Sequence, residues 1–182
     1  AFEVVDDKRD FNFSSLSNTK PEAIYADFNT STSVPGTYKL SVGQLAQNDS
    51  IRSTAVSSQT ADQNGTNAAT VVITVGTGAA TTLTLGAGAT SLDDLVTGIN
   101  NLDIDVTARV VEVSTGSYRV VVEGPQGADN ALTITDSVFG ITTNTSAASY
   151  SSSSKTQTAQ NATVTVNGLS VSRSSNEVDD LV

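Results

Sequence analysis

The sequence has no cysteine, histidine, methionine or tryptophan, and only 3 prolines in 182 residues. Without cysteine there are no disulfides, no thiolate metal sites and no cysteine nucleophile. Without histidine the usual general base and the commonest nitrogen ligand for metals are gone. The missing methionine predicts a fragment or a processed chain, with both ends as cuts. Aromatic residues make up 5% of the chain. Cores must therefore be built from Val, Leu, Ile and Ala, which favours two thin cores over one large one. No apolar run approaches the roughly 18 residues of a membrane span, and no signal peptide is visible at Ala1. Net charge is −10 and the sequence pI is about 4.1. Phosphate binding needs clustered Lys and Arg, so neither nucleic acid nor an anionic membrane surface is an expected partner. The acidity fits solubility of a β-rich chain.

What is abundant is hydroxyl: 24 Ser and 26 Thr. Part of it lies in alternating runs. Tyr38, Leu40 and Val42 alternate with Lys39 and Ser41, which predicts a half-buried strand after the turn signal Val34-Pro35-Gly36. Upstream, Ala23, Tyr25 and Phe28 line one face of a short predicted strand. Thr70–Val75 and Thr81–Leu85 flank a Gly/Ala loop and read as a hairpin. Near the C-terminus Thr163–Val166 and Leu169–Ser172 flank Asn167-Gly168. Asn-Gly between alternating runs predicts a tight hairpin, because both central residues of a type I′ turn need φ > 0.

One helix is expected. Ser91 is a good N-cap and Asp94 completes a capping box. Asp93 and Asp94 favour the positive helix end. Leu92, Leu95, Val96, Ile99 and Leu102 form one apolar stripe, and Asn100-Asn101 ends it. A helix this short is unstable alone and must lie on a sheet. The sheet is expected from Val106–Val113 and Tyr118–Glu123, with Gly124-Pro125 breaking the second strand, followed by a strand at Ala131–Thr135.

The remaining Ser and Thr fill two polar stretches, 53–68 and 142–158, which read as connectors. The fold class expected is mainly β with a minor α+β component. Two small antiparallel β-rich domains are predicted, one inserted into the other, with one short helix packed on a sheet. The outer domain is residues 33–55 plus 157–182, incomplete at its C-terminal side. The insert is residues 56–156, and residues 1–32 are a preceding segment.

No constellation supports catalysis. Asp103-Ile104-Asp105 offers two carboxylates, read as a solvated strand edge, since calcium would need a third ligand. Asp179-Asp180 reads as exposed. No G-x-S-x-G occurs, and Lys155 beside Ser154 sits in a Ser run. The glycines of GTGAAT and GAGAT lack a phosphate-loop lysine. The six N-x-[ST] sequons, at Asn12, Asn29, Asn48, Asn64, Asn144 and Asn161, are close to what this much Ser and Thr gives by chance. No enzyme activity, cofactor or metal is expected.

Three stretches carry a family resemblance. PGTYKLSVGQLAQ at Pro35–Gln47 and AQNATVTVNGLSVSRSSNEVDD at Ala159–Asp180 resemble the two flanking motifs of the bacterial flagellar filament cap family (hook-associated protein 2, FliD). Between them, TLGAGATSLDDLVTGINNL and the stretch from Val106 to Ile134 resemble the hook IN motif of flagellar axial proteins. The resemblance implies a head region that self-associates at the filament tip and assists flagellin polymerisation. Expected partners are the protein itself and flagellin, with a host-surface ligand as a further class and no nucleic acid or membrane insertion. The implied location is extracellular, at the flagellum tip, reached without a cleaved Sec signal. Residues 1–32 would be the leg-to-head junction. The motif residues carried over are Gly36, Tyr38, Gln44, Leu45, Asn167, Gly168, Arg173 and Asn176, beside the helix cap Ser91 and Asp94. Gln44 and Arg173 are the polar ones expected to make buried or inter-subunit hydrogen bonds. The alternatives are a hook–filament junction protein and an adhesin-like β domain, for which Tyr118 and Tyr150 are the aromatic anchors.

Overall fold

Alternating apolar and hydroxyl residues suit a pleated surface, and most of the chain takes that form. A computed structural model describes residues 37–141 and 155–177. The expectations for residues 1–36, for Ser154, for Tyr150 and for Asp179-Asp180 fall outside the described residues. Among the described residues there are ten strands and one α-helix. The strands are β1 (Leu40–Gln44), β2 (Asn48–Arg52), β3 (Ala69–Val75), β4 (Thr81–Leu85), β5 (Thr107–Ser114), β6 (Ser117–Gln126), β7 (Leu132–Asp136), β8 (Lys155–Gln157), β9 (Ala162–Val166) and β10 (Leu169–Arg173); α1 is Leu92–Asn100. They form three antiparallel sheets ordered β1-β9-β10, β5-β6-β2-β8 and β4-β3-β7.

Two of the sheets and the helix share one core. Ile51, Ala108, Val120 and Val122 come from the four-stranded sheet. Val71, Ile73, Leu85, Leu132 and Ile134 come from the sheet of β4, β3 and β7, and Leu92, Leu95 and Ile99 from α1. The only buried aromatic among them is Phe139. The helix begins where the capping chemistry predicts. The Ser91 side chain accepts from the Asp94 N–H, and the Asp94 carboxylate accepts from the Ser91 N–H at 3.1 Å. At the other end the Asn100 side chain donates to the Ala108 carbonyl and accepts from the Ala108 N–H, which ties the helix end to β5.

The structure corrects the sequence reading in four places. Gly124-Pro125 does not break its strand, since β6 runs on to Gln126. The strand instead bulges against β2: Ser50 pairs with Glu123 and Asn48 with Gln126, so Gly124 and Pro125 together oppose the single residue Asp49. Pro125, with no N–H to donate, sits in that irregular step. The second connector is shorter than expected, because Lys155–Gln157 pairs with β2 as an edge strand. Asp103–Asp105 is a run of bends rather than a strand edge, although both carboxylates are exposed. Finally, Tyr38, Leu40 and Val42 are exposed where half-burial was expected. The reason is that β1 lies in a three-stranded sheet outside the shared core.

The hairpin of that sheet has the predicted chemistry. Asn167 and Gly168 have φ of 49° and 89°, and they connect Val166 to Leu169, which face each other. Asn167 also accepts from the Lys39 N–H through Oδ1 at 2.8 Å, reaching the end of β1. Replacing Asn167-Gly168 by Val-Val forces two β-branched residues into positive φ and should cost about 2–3 kcal/mol. Loss of amide protection in β9 and β10 would register it. An unchanged melting profile with intact protection would remove the turn from the account.

Candidate functional site: a polar neck between two sheets

The chain passes between the three-stranded sheet and the rest of the molecule twice, once at Leu45–Gln47 and once at Thr158–Asn161. Where two crossings run side by side, their backbone polar groups need partners. Gln47 and Gln160 provide them by exchanging N–H···O bonds of 2.9 and 3.1 Å, an isolated antiparallel bridge. Side-chain amides complete the neck. Gln44 Nε2 donates to the Asn161 carbonyl at 2.7 Å, and Gln160 Nε2 donates to the Leu45 carbonyl at 3.1 Å. Asn176 grips both polar groups of Ala46: Oδ1 accepts from its N–H at 2.7 Å and Nδ2 donates to its carbonyl at 3.0 Å. Asn161 Oδ1 accepts from the Ala128 N–H.

Directly beyond the neck lies Asp49, fully buried on β2. Its Oδ2 accepts from the Leu132 N–H at 2.6 Å and from Lys155 Nζ at 2.7 Å, and its Oδ1 accepts from the Ala159 N–H at 2.7 Å. One carboxylate thus joins β2, the start of β7, β8 and the return crossing. Lys155, read from sequence as part of a Ser run, is the partner that keeps this buried charge balanced.

Among the motif residues, Gln44, Leu45 and Asn176 gather at the neck. Tyr38, Asn167 and Gly168 lie at the opposite end of the small sheet. Gly36 is outside the described residues. Arg173 ends β10 and donates from Nη1 to the Ser172 carbonyl. Asp49, Gln47, Gln160, Asn161 and Lys155 were missed. A lone Asp in NDSIR carries no sign of burial, and only the pairing of β2 between β6 and β8 puts it inside.

Other candidates resolve into structure. Tyr118 is half-buried on β6, packed against the core and bridged to Val56. Asp103 and Asp105 line an open hollow of about 560 Å³ with Leu102 and Ile104. Among the described residues no three His, Cys, Asp or Glu are grouped to hold a metal ion.

One exposed ion pair has a pH signature. Arg109 and Glu123 are diagonal neighbours across β5 and β6, joined by two hydrogen bonds. The bond from Arg109 is the main reason that the Glu123 carboxyl titrates below its ordinary range, with attraction to the guanidinium adding to it against partial burial. The folded-state value is the depressed one. The stabilisation is therefore complete above the unfolded value and lost as pH falls through the folded one. Glu123→Gln should cost under about 1 kcal/mol at neutral pH, since the pair is solvated. Denaturant midpoints of the two chains should converge in acid; a constant gap would show that the charge contributes nothing.

Comparison with family models and with curated protein sequences gives no match. Solved structures do match. The D2-D3 domains of the flagellar cap protein FliD from Escherichia coli align with a TM-score of 0.74 and 28% identity, over 83% of this chain and 79% of that one. The D2-D3 domains from Serratia marcescens align with a TM-score of 0.70 and 30% identity, over 82% of this chain and 83% of that one. Against the E. coli D1-D2-D3 structure the match has a TM-score of 0.73 at 28% identity and covers 48% of that longer chain, about half its length. The fold is therefore the β-rich fold of flagellar cap D2-D3 domains. The chain belongs to the flagellar cap protein FliD family.

Proposed function

We propose that this chain is the head region of a flagellar filament cap, which self-associates at the extracellular filament tip and assists flagellin polymerisation there. The observation that carries this is the alignment with FliD D2-D3 domains over more than four-fifths of the chain. The division into two parts belongs to the same proposal. The outer part holds the sheet of β1, β9 and β10, and the insert holds the shared core. The boundaries expected at 55/56 and 156/157 cut through the four-stranded sheet, so the dividing line is drawn instead at the Gln47–Gln160 bridge. In this role the neck fixes how the outer sheet is carried on the larger core. Replacement of residues 37–177 by a flexible linker in the full-length protein, expressed in a cap-deficient strain, tests the assignment. The expected result is unpolymerised flagellin in the medium and short filaments. Filaments of normal length would sink it.

A further inference from the structure

The outward face of the four-stranded sheet gathers positive charge on an acidic chain. Directly paired residues of antiparallel strands share a face. Arg52 pairs with Val121 and Val121 with Arg109, so these three form one row across β2, β6 and β5. The neighbouring row on one side pairs Arg119 with Val111, and the row on the other side joins Ser50, Glu123 and Thr107. The opposite face carries the buried Ile51, Ala108, Val120 and Val122. The described residues include six Lys and Arg, and three of them meet on this outward face, with Glu123 as its one carboxylate. The whole chain, by contrast, has a net charge of −10. Nothing in the sequence marks the cluster, because Arg52, Arg109 and Arg119 come together only through strand pairing.

The three guanidiniums are not equally engaged. Arg109 is held by Glu123. Arg119 donates from Nη1 to the Ser53 carbonyl, and a guanidinium has further N–H donors to offer. Arg52 is exposed and has no hydrogen-bond or ion-pair partner for its side chain among the described residues. Strand spacing puts the Cα atoms of Arg52 and Arg109 about 10 Å apart, with Arg119 about 8 Å from each on the diagonal. Val121 lies within that triangle and Val111 beside it, both half-buried. We infer that this face docks an acidic segment of a partner protein, with carboxylates on Arg52 and Arg119 and an apolar side chain on Val111 and Val121. Charge complementarity sets the sign of the partner. The planar fork of arginine pairs with a carboxylate through two bonds at once, which suits it to interface ion pairs. The mixed character of the face sets the class. A uniform polyanion such as a sulfated glycan would meet the Glu123 carboxylate and gain little from two valines. A peptide can place carboxylate and apolar side chains side by side. Three strands of about five residues offer about 240 Å², well below the roughly 800 Å² that each partner gives to a standard interface. The docking is therefore weak and reversible.

The test titrates the isotope-labelled 182-residue chain with a short peptide of alternating Glu and Val, and with the same peptide carrying Gln for Glu. The Glu peptide should shift the amide signals of Arg52, Val111 and Val121 to saturation, with an affinity that falls as salt is raised. Arg52→Glu should weaken that affinity about fivefold or more, because it turns one attraction into a repulsion. The melting temperature should stay put, since the Arg52 side chain holds nothing in the fold. Lys39→Glu makes the same change of net charge at an exposed site on the small sheet, and it should leave the affinity as it was. Equal weakening by the two variants would overturn the inference, because net charge alone would then explain binding. So would equal shifts with the Gln peptide, or a sulfated dextran that binds at the same amides more tightly than the Glu peptide. Movement of those signals with the concentration of the chain alone would assign the face to a second copy and overturn it too.

Discussion

Replacing Asp49 with alanine is expected to destabilise the protein by about 3–5 kcal/mol, the range for removing one member of a fully buried charged pair. The carboxylate accepts three hydrogen bonds, from the Leu132 and Ala159 N–H groups and from Lys155 Nζ. The donors are unequal. The N–H groups of Leu132 and Ala159 are fixed by the backbone, whereas Lys155 retains 30% side-chain exposure and can swing its ammonium into water. Most of the loss should thus come from two stranded backbone donors, each costing about 1–3 kcal/mol. Lys155→Met should accordingly cost only about 1–2 kcal/mol, because the carboxylate keeps both N–H donors and part of the lost bond is solvation exchanged for apolar contact. Urea unfolding of the two single variants and the double variant decides the matter. Equal losses for Asp49→Ala and Lys155→Met would show that the ion pair, and not the backbone anchoring, holds the site. Hydrogen exchange adds the structural half of the test, since the Leu132 and Ala159 amides should lose protection together.

This residue marks where reading the sequence stopped. The signals that could be read were local. Ser91 and Asp94 announce a helix start by their spacing, and Asn167-Gly168 announces a turn because few residue pairs tolerate two positive φ values. Alternation announced β3, β4, β9 and β10 for the same reason, since a period of two is a property of the strand itself. Long-range partnership has no such mark. Asp49 is buried because β2 lies between β6 and β8, and those strands are separated from it by more than sixty residues. Pro125 looked like a strand end because its missing N–H is a local fact, while the bulge of β6 that accommodates it is defined only by the pairing with β2, far away in sequence. The neck falls between these cases. Gln44 and Asn176 stood out through family resemblance, but what they bond to, Asn161 and Ala46, follows only from the two crossings running side by side. The strand face of Leu40 and Val42 was legible as a pattern and misjudged as half-buried. Alternation tells which side of a strand is apolar, and it does not tell what lies against that side.

Asp136→Ala is the second large effect, expected at about 3–4 kcal/mol from buried N–H groups left without an acceptor. At the end of β7 the Asp136 carboxylate takes four backbone donors. Oδ1 accepts from Val138 at 2.8 Å, Phe139 at 2.5 Å and Gly140 at 3.2 Å, and Oδ2 accepts from Ile141 at 2.7 Å. An Asp followed by a short polar-to-glycine run is a turn-forming signal, and TDSVFG could have been read that way. The turn does more than reverse the chain. It drives Phe139 and Ile141 into the core, and the Phe139 carbonyl accepts from Thr54, in the segment that follows β2. Loosening it should therefore release apolar packing as well as hydrogen bonds. Asparagine separates the two contributions. It keeps Oδ1 for three of the donors but turns an NH₂ toward the Ile141 N–H, so its cost should be smaller, about 1–2 kcal/mol. Alanine and asparagine variants compared by denaturant unfolding, with the amide protection of Phe139 and Ile141 followed alongside, test the assignment. If asparagine costs as much as alanine, the negative charge rather than the count of hydrogen bonds holds this loop against the core.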